Sequence, residues 1–226
     1  MGLLVLFGDY WRFLNPKFKW LTGVTAVILV VIGSVATIVP NKRPSYSRRI
    51  VFLLFVRILS VGNLGISLTP RIHHDTGASR LTVDSVEYIK INLAELYMLT
   101  EKKGPNKMAT HYVVRGIVKK SHTLNNLHQF ALIRNTVFCC LADSVAMGFR
   151  VQYDDLDKLA DGQWAEVYGT LSRSAQEVPD SGLQNKGLHL TVLNESYLLT
   201  PFKIVTIEEP EIPFIFDFRE DEPHAY

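Results

Sequence analysis

The sequence predicts two N-terminal transmembrane α-helices followed by a mainly β, OB-like barrel domain, and three observations predict it. Trp20 to Val39, WLTGVTAVILVVIGSVATIV, is twenty residues without a charge. Residues 1–71 carry nine Lys/Arg against one acid, Asp9, a net +8, whereas the remainder carries 15 basic and 21 acidic residues, a net −6. After residue 110, five strand-like runs fall in the order three strands, a short helical stretch and two strands, the order of an OB-type barrel. The resulting boundaries are 1–69 for a membrane anchor, 70–110 for a linker and short helix, and 111–226 for the barrel with a C-terminal tail.

At about 1.5 Å per residue, the first apolar run is long enough to cross a hydrocarbon core of roughly 30 Å. Lys17 and Lys19 precede it, Trp11 and Trp20 suit the interface, and Pro40 ends it. The run is too long for a secretory signal peptide, and Pro40-Asn41-Lys42-Arg43 is a poor cleavage site. Met1 to Phe7 is apolar but too short to span. A second span is expected from Ile50 to Leu68, interrupted by Arg57 and Asn63. A cation exposed to lipid at that depth costs about 2.5–3.5 kcal/mol, so Arg57 either snorkels to the near interface or, with Asn63, faces a protein partner. Lys42, Arg43, Arg48 and Arg49 fill the loop between the two spans. The positive-inside rule puts that loop in the cytoplasm and the C-terminal domain on the other side, although Arg12, Lys17 and Lys19 pull the other way.

The polar stretch Pro70 to Arg80 reads as a linker leaving the membrane. Asp84 is placed to cap a helix over Ser85–Leu99, with Val86, Ile89, Leu93, Leu96 and Tyr97 near helical spacing. KKGPNK, residues 102–107, breaks it. Strands are then expected over His111–Lys119, Gln129–Cys140 and Val145–Tyr153. A helical stretch, Asp154–Ala160, ends at Asp161-Gly162, and strands come next over Gln163–Ser172 and Gly187–Leu199, with a polar loop at 174–186 between them. The tail IVTIEEPEIPFIF alternates apolar residues with acids and prolines and is expected to pack along the barrel. The acidic balance of the globular part argues against nucleic acid as a partner, because phosphate binding needs clustered positive charge.

Both cysteines of the protein, Cys139 and Cys140, are adjacent. Cα atoms about 3.8 Å apart fall short of the usual disulfide range of about 4.4–6.8 Å. The two can instead supply thiolates to zinc or copper(I), with Asp143, His111, His122 and His128 the nearest further ligands in sequence. On a regular strand, adjacent side chains point to opposite faces, so both sulfurs reach one ion only if the backbone leaves the strand here. The alternative is a cysteine buried as a small apolar side chain. His73-His74-Asp75 is a weaker metal candidate. Trp164, Glu166 and Tyr168 share a strand face, with core packing the default and a stacking platform the alternative. Asp154, Asp155 and Asp157 lack the glycine and distal glutamate of a calcium loop. The sequence carries no nucleophile elbow, phosphate-binding glycine loop or metalloprotease helix, and the vicinal cysteines lack the spacer of a redox pair, so no enzyme is expected.

VVRGIVKK, FALIRNTVFCCLADSVAMGFRV, DGQWAEVYGTLS and VTIEEPEIPFIF, downstream of two apolar N-terminal helices, resemble the YcgQ-like family of bacterial membrane proteins. The most specific part is Phe138-Cys139-Cys140-Leu141-Ala142-Asp143 with the Gly-Gln-Trp to Gly169-Thr170 segment. The resemblance implies an integral protein of the bacterial cytoplasmic membrane, an accessory subunit beside a larger permease-like partner, in some cases in metal homeostasis. It names no transported species. Members often carry a histidine-rich stretch between the helices, and Asn41 to Arg49 has no histidine. That absence weakens the carry-over of metal handling to the loop, and zinc at Cys139, Cys140 and Asp143 stays the cofactor expectation on residue type alone. The competing expectation is a membrane-tethered OB module that binds a ligand or single-stranded polymer without transport.

Overall fold

The computed structural model describes residues 14–38, 80–102, 110–175, 181, 183, 190–219 and 222–226. The chain divides into two units, Met1–Ile72 and His73–Tyr226.

In the first unit Asn15 opens a 3-10 turn over Pro16–Phe18, its Oδ1 accepting the Lys17 N–H at 3.1 Å. Pro16 suits the first position because no intrahelical partner awaits its missing N–H. Helix α1 (Lys19–Ile38) continues from there. Trp20, Leu21, Val24, Val27, Leu29, Val31 and Ile32 are all exposed on it. Counted over the described side chains, which within α1 run to Ile32, no helix is long and apolar enough to cross a membrane. The second expected span, Ile50–Leu68 with Arg57 and Asn63, the loop at 41–49 and His73-His74-Asp75 lie outside the described residues.

The described part of the second unit begins with a hairpin where the sequence predicted a helix capped by Asp84. Strands β1 (Arg80–Val83) and β2 (Val86–Lys90) pair antiparallel around Asp84-Ser85, both at positive φ, 51° and 67°. Two left-handed residues give the turn whose twist matches paired strands. Val86-Glu87-Tyr88-Ile89-Lys90 can be read with either period, and pairing with β3 selects the strand. Helix α2 (Leu93–Lys102) starts later, capped by Asn92, whose Oδ1 accepts the Glu95 N–H at 2.9 Å.

The barrel strands are β3 (His111–Lys119), β4 (Gln129–Thr136), β5 (Val145–Gln152), β6 (Trp164–Arg173) and β7 (Leu190–Thr206), with the short helix α3 (His122–Asn125) between β3 and β4. They close in the order β3-β4-β5-β7-β6 and back to β3, leaving no unpaired edge within the circuit. Only β5–β7 is parallel within it. A five-stranded barrel with this connectivity is OB-like. Strand β7 runs past the predicted end at Leu199 because Pro201 sits where the β6–β7 register shifts, a place that tolerates a missing donor.

Alternate residues point inward: Val114, Val118, Phe130, Leu132, Phe149, Val151, Ala165, Val167 and Leu199 are fully buried, and Leu93 and Leu96 of α2 join the same cluster. Gly148 is required where β4 and β5 meet, since a Cβ there would lie 2.0 Å from the Leu132 carbonyl oxygen. The tail packs on the barrel as the sequence predicts. Ile215 bridges Thr136, with Ile215 N–H donating to Asn135 O at 2.8 Å and Val137 N–H to Ile215 O at 2.9 Å. Arg134, 6% exposed, donates to Ile212 O and Pro213 O at 3.0 and 3.1 Å. Burial and then the neighbouring Arg115 push its guanidinium down to about 10, which leaves it charged at neutral pH. Farther on, the buried Glu95 carboxylate accepts the backbone N–H of Arg219 at 2.7 Å and of Ala225 at 2.9 Å, and Tyr226 donates to Glu166 at 2.7 Å.

Candidate metal centre

Strand β4 ends at Thr136, four residues before the sequence predicted, because the tail pairs with the chain there and Asp143 gathers the backbone of residues 138–140. A 3-10 turn, Leu141–Asp143, brings the Asp143 carboxylate back over the chain. It accepts three backbone N–H groups, from Phe138 at 3.2 Å, Cys139 at 2.8 Å and Cys140 at 3.3 Å. Asp143 N–H in return donates to Cys140 O at 3.0 Å. The backbone has thus left the strand where the cysteines stand, and their side chains no longer alternate. Cys139 Sγ and Cys140 Sγ lie 3.6 Å apart.

Ligand atoms of Cys139, Cys140 and Asp143 all fall within 4.8 Å of one another, and this is the one such group of three among the described residues. Two thiolates bound tetrahedrally at about 2.3 Å would stand about 3.8 Å apart, whereas a linear arrangement would need about 4.6 Å. The observed separation matches the tetrahedral case. An ionised carboxylate has about four acceptor sites, so three N–H bonds leave Asp143 one lone pair to offer. Three protein donors leave a fourth position of a tetrahedral ion open. Cys139 is exposed and Cys140 and Asp143 half-buried, so the site faces solvent.

The electrostatics favour a protonated Cys139 thiol until a cation arrives. Hydrogen bonding to Asp143 first, and then to Cys140, pushes the Cys139 thiol up to about 12. Partial desolvation pushes Asp143 up, but the Cys139 thiol and the backbone N–H groups of Cys139, Cys140 and Phe138 together hold it below the usual carboxylate range. Beside the site, Phe138 stacks on Phe218 of the tail, centroids 5.4 Å apart, and remains 47% exposed. No local pattern in the sequence signals that pair, which depends on a contact across 80 residues.

The other candidates are placed elsewhere. His111 packs in an aromatic cluster with Tyr88 and Phe202. His122 contacts Asn126, and His128 lies 4.0 Å from Asp154. Asp155 pairs with Lys158 at the surface. Trp164 and Tyr168 are buried, Trp164 beneath Arg134 and Tyr168 bonded to Glu166, so neither is an open stacking platform.

An OB-like barrel carrying a two-thiol, one-carboxylate turn is the class of protein that fold and site define. The model of the DUF1980 C-terminal domain matches residues 69–217, and the chain belongs to that family. No curated protein matches. Among matching solved structures is that of "a putative aspartyl-tRNA synthetase from Leishmania major Friedlin", 17% identical, with a TM-score of 0.30, covering 64% of this chain and 24% of that one. The chain thus spans about a quarter of that structure's length, and a likeness at this level adds nothing to the fold.

Proposed function

We propose that the protein is a membrane-anchored accessory subunit of a transport system whose OB-like domain, outside the cytoplasm, holds a thiophilic divalent cation, zinc foremost, at Cys139, Cys140 and Asp143. The observation that carries the cation-binding part of this reading is the 3.6 Å separation of two sulfurs beside one carboxylate. An exposed site with one coordination position left open suits a cation that is passed on better than one that staples a fold. Two neighbouring thiols outside the cytoplasm would also face an oxidising compartment, where a bound cation protects them.

Helix α1 supports the anchor. It is 20 residues long, about 30 Å, and its exposed side chains from Trp20 to Ile32 are apolar, which is the surface lipid would cover. The basic excess of residues 1–71 agrees with membrane-proximal chain. A permease-like membrane protein is the partner proposed, with Arg57 and Asn63 as the residues that would face it. The test is purification of the full chain from its own membranes in mild detergent. A larger membrane protein is expected to co-purify in fixed ratio. A chain found in the soluble fraction, or extracted as a lone monomer, contradicts the proposal.

A further inference from the structure

We propose that Cys139 and Cys140 are a redox modification site: with no cation bound, the two thiols close reversibly to a vicinal disulfide, so that the site takes a cation only in its reduced form. The exclusion of the cation rests on the proposed zinc site; the disulfide does not. These are the two cysteines of the whole chain, so any disulfide within it joins this pair.

The sulfurs stand 3.6 Å apart and need to approach by about 1.5 Å to reach a bonding distance of about 2.05 Å. On a strand the two side chains would point to opposite faces. Asp143, accepting the Cys139 and Cys140 N–H groups at 2.8 and 3.3 Å, has already removed that obstacle. Cys139 is exposed, so an oxidant reaches it. A single trans peptide leaves the Cα atoms about 3.8 Å apart, short of the usual range of about 4.4–6.8 Å. That shortfall argues against a structural cross-link and for a strained one, and strained, exposed disulfides are the easily reduced, labile kind. The hydrogen bond from the Cys139 thiol to Asp143 stabilises the reduced state and adds to that ease. The oxidant is a small disulfide. One cysteine sulfur gives its proton to water and attacks it, forming a mixed disulfide and expelling one small thiolate. The other cysteine sulfur, losing its proton in turn, attacks the first and expels the second small thiolate. Two cysteine thiols are oxidised and one small disulfide is reduced to two thiols. The closed pair has no thiolate to offer a cation, and a cation held by both sulfurs blocks closure, so each state excludes the other.

The test uses the full chain in detergent, reduced, stripped of metal and exposed to excess oxidised glutathione, with remaining thiols alkylated before the intact mass is measured. A monomer lighter by two hydrogens than the reduced chain, carrying neither glutathione nor alkyl group and restored by dithiothreitol, is expected. Cys139→Ser is expected to stop at one attached glutathione. Zinc at ten times its dissociation constant is expected to slow closure about tenfold, as the cation-free fraction falls. Two alkylated thiols, a stable mixed disulfide on the wild-type chain, or a disulfide-linked dimer overturns the vicinal disulfide. A reduced chain that binds zinc yet closes at an unchanged rate overturns the mutual exclusion. Zinc titration of the reduced chain without oxidant tests the cation site separately: a chain that takes no zinc overturns that site and the exclusion with it, and the disulfide then stands or falls on the mass.

Discussion

The Asp143 carboxylate accepts the Cys139 backbone N–H at 2.8 Å, and this bond, with its neighbours from Phe138 and Cys140, turns two consecutive side chains toward one point. Side chains that would diverge on a strand converge on a turn that a third ligand candidate itself builds. Asp143 therefore has two roles, and they can be separated by substitution.

Asp143→Ala removes the acceptor for three N–H groups and is expected to cost about 1–2 kcal/mol, the loss typical of a cap, and to weaken zinc binding. Asp143→Asn keeps one acceptor oxygen and is expected to recover most of the stability but not the affinity. Urea unfolding and a competitive zinc titration on the same variants check this. Equal stability of wild type and Asp143→Ala would contradict the assigned turn.

Zinc affinity is expected to rise with pH. The Cys139 thiol, raised to about 12, is protonated at neutral pH without a cation, so binding must release its proton. Release of the Cys139 proton gives about a tenfold gain in apparent affinity per pH unit below its thiol range. Titrations at three pH values measure the slope, and a flat profile would mean the sulfurs are not the ligands.

Glu166 is expected to make stability acid-sensitive. Burial raises its pKa, but hydrogen bonds from Tyr168, Tyr226 and Arg115, the last at 2.7 Å, bring it below the usual value. A carboxylate depressed in the folded state stabilises the fold above its unfolded value, about 4.3, and that contribution is lost as pH falls through the folded value. Glu166→Gln is expected to be destabilised at pH 7 by about 1–3 kcal/mol and to approach wild type below roughly pH 4. Denaturation midpoints across that window test it.

Gly148→Ala is expected to cost about 3 kcal/mol or more, because the new Cβ would lie 2.0 Å from backbone, which cannot rotate away. A thermal midpoint within a degree or two of wild type would contradict the close β4–β5 approach.

The barrel was legible because its inward positions repeat every second residue from Val114 to Leu199 and because the helical break falls between the third and fourth strands. The hairpin at Asp84-Ser85 was not, since Val86, Ile89 and Leu93 fit a helical spacing as well as a strand followed by a helix. The cysteine pair and Asp143 were legible as residue types. The sulfurs are brought together by one carboxylate accepting three backbone N–H groups, and strand geometry pointed the other way. The contact between His224 and Glu95 was not legible either, because it forms only once the tail has returned to α2, 129 residues later in the chain.

The decisive measurement is the metal content of the full chain, purified without chelator, beside a Cys139→Ser, Cys140→Ser variant. About one zinc per chain is expected, lost in a variant that remains folded. Metal-free wild-type protein, or zinc retained without the two thiols, would contradict a metal centre at Cys139, Cys140 and Asp143.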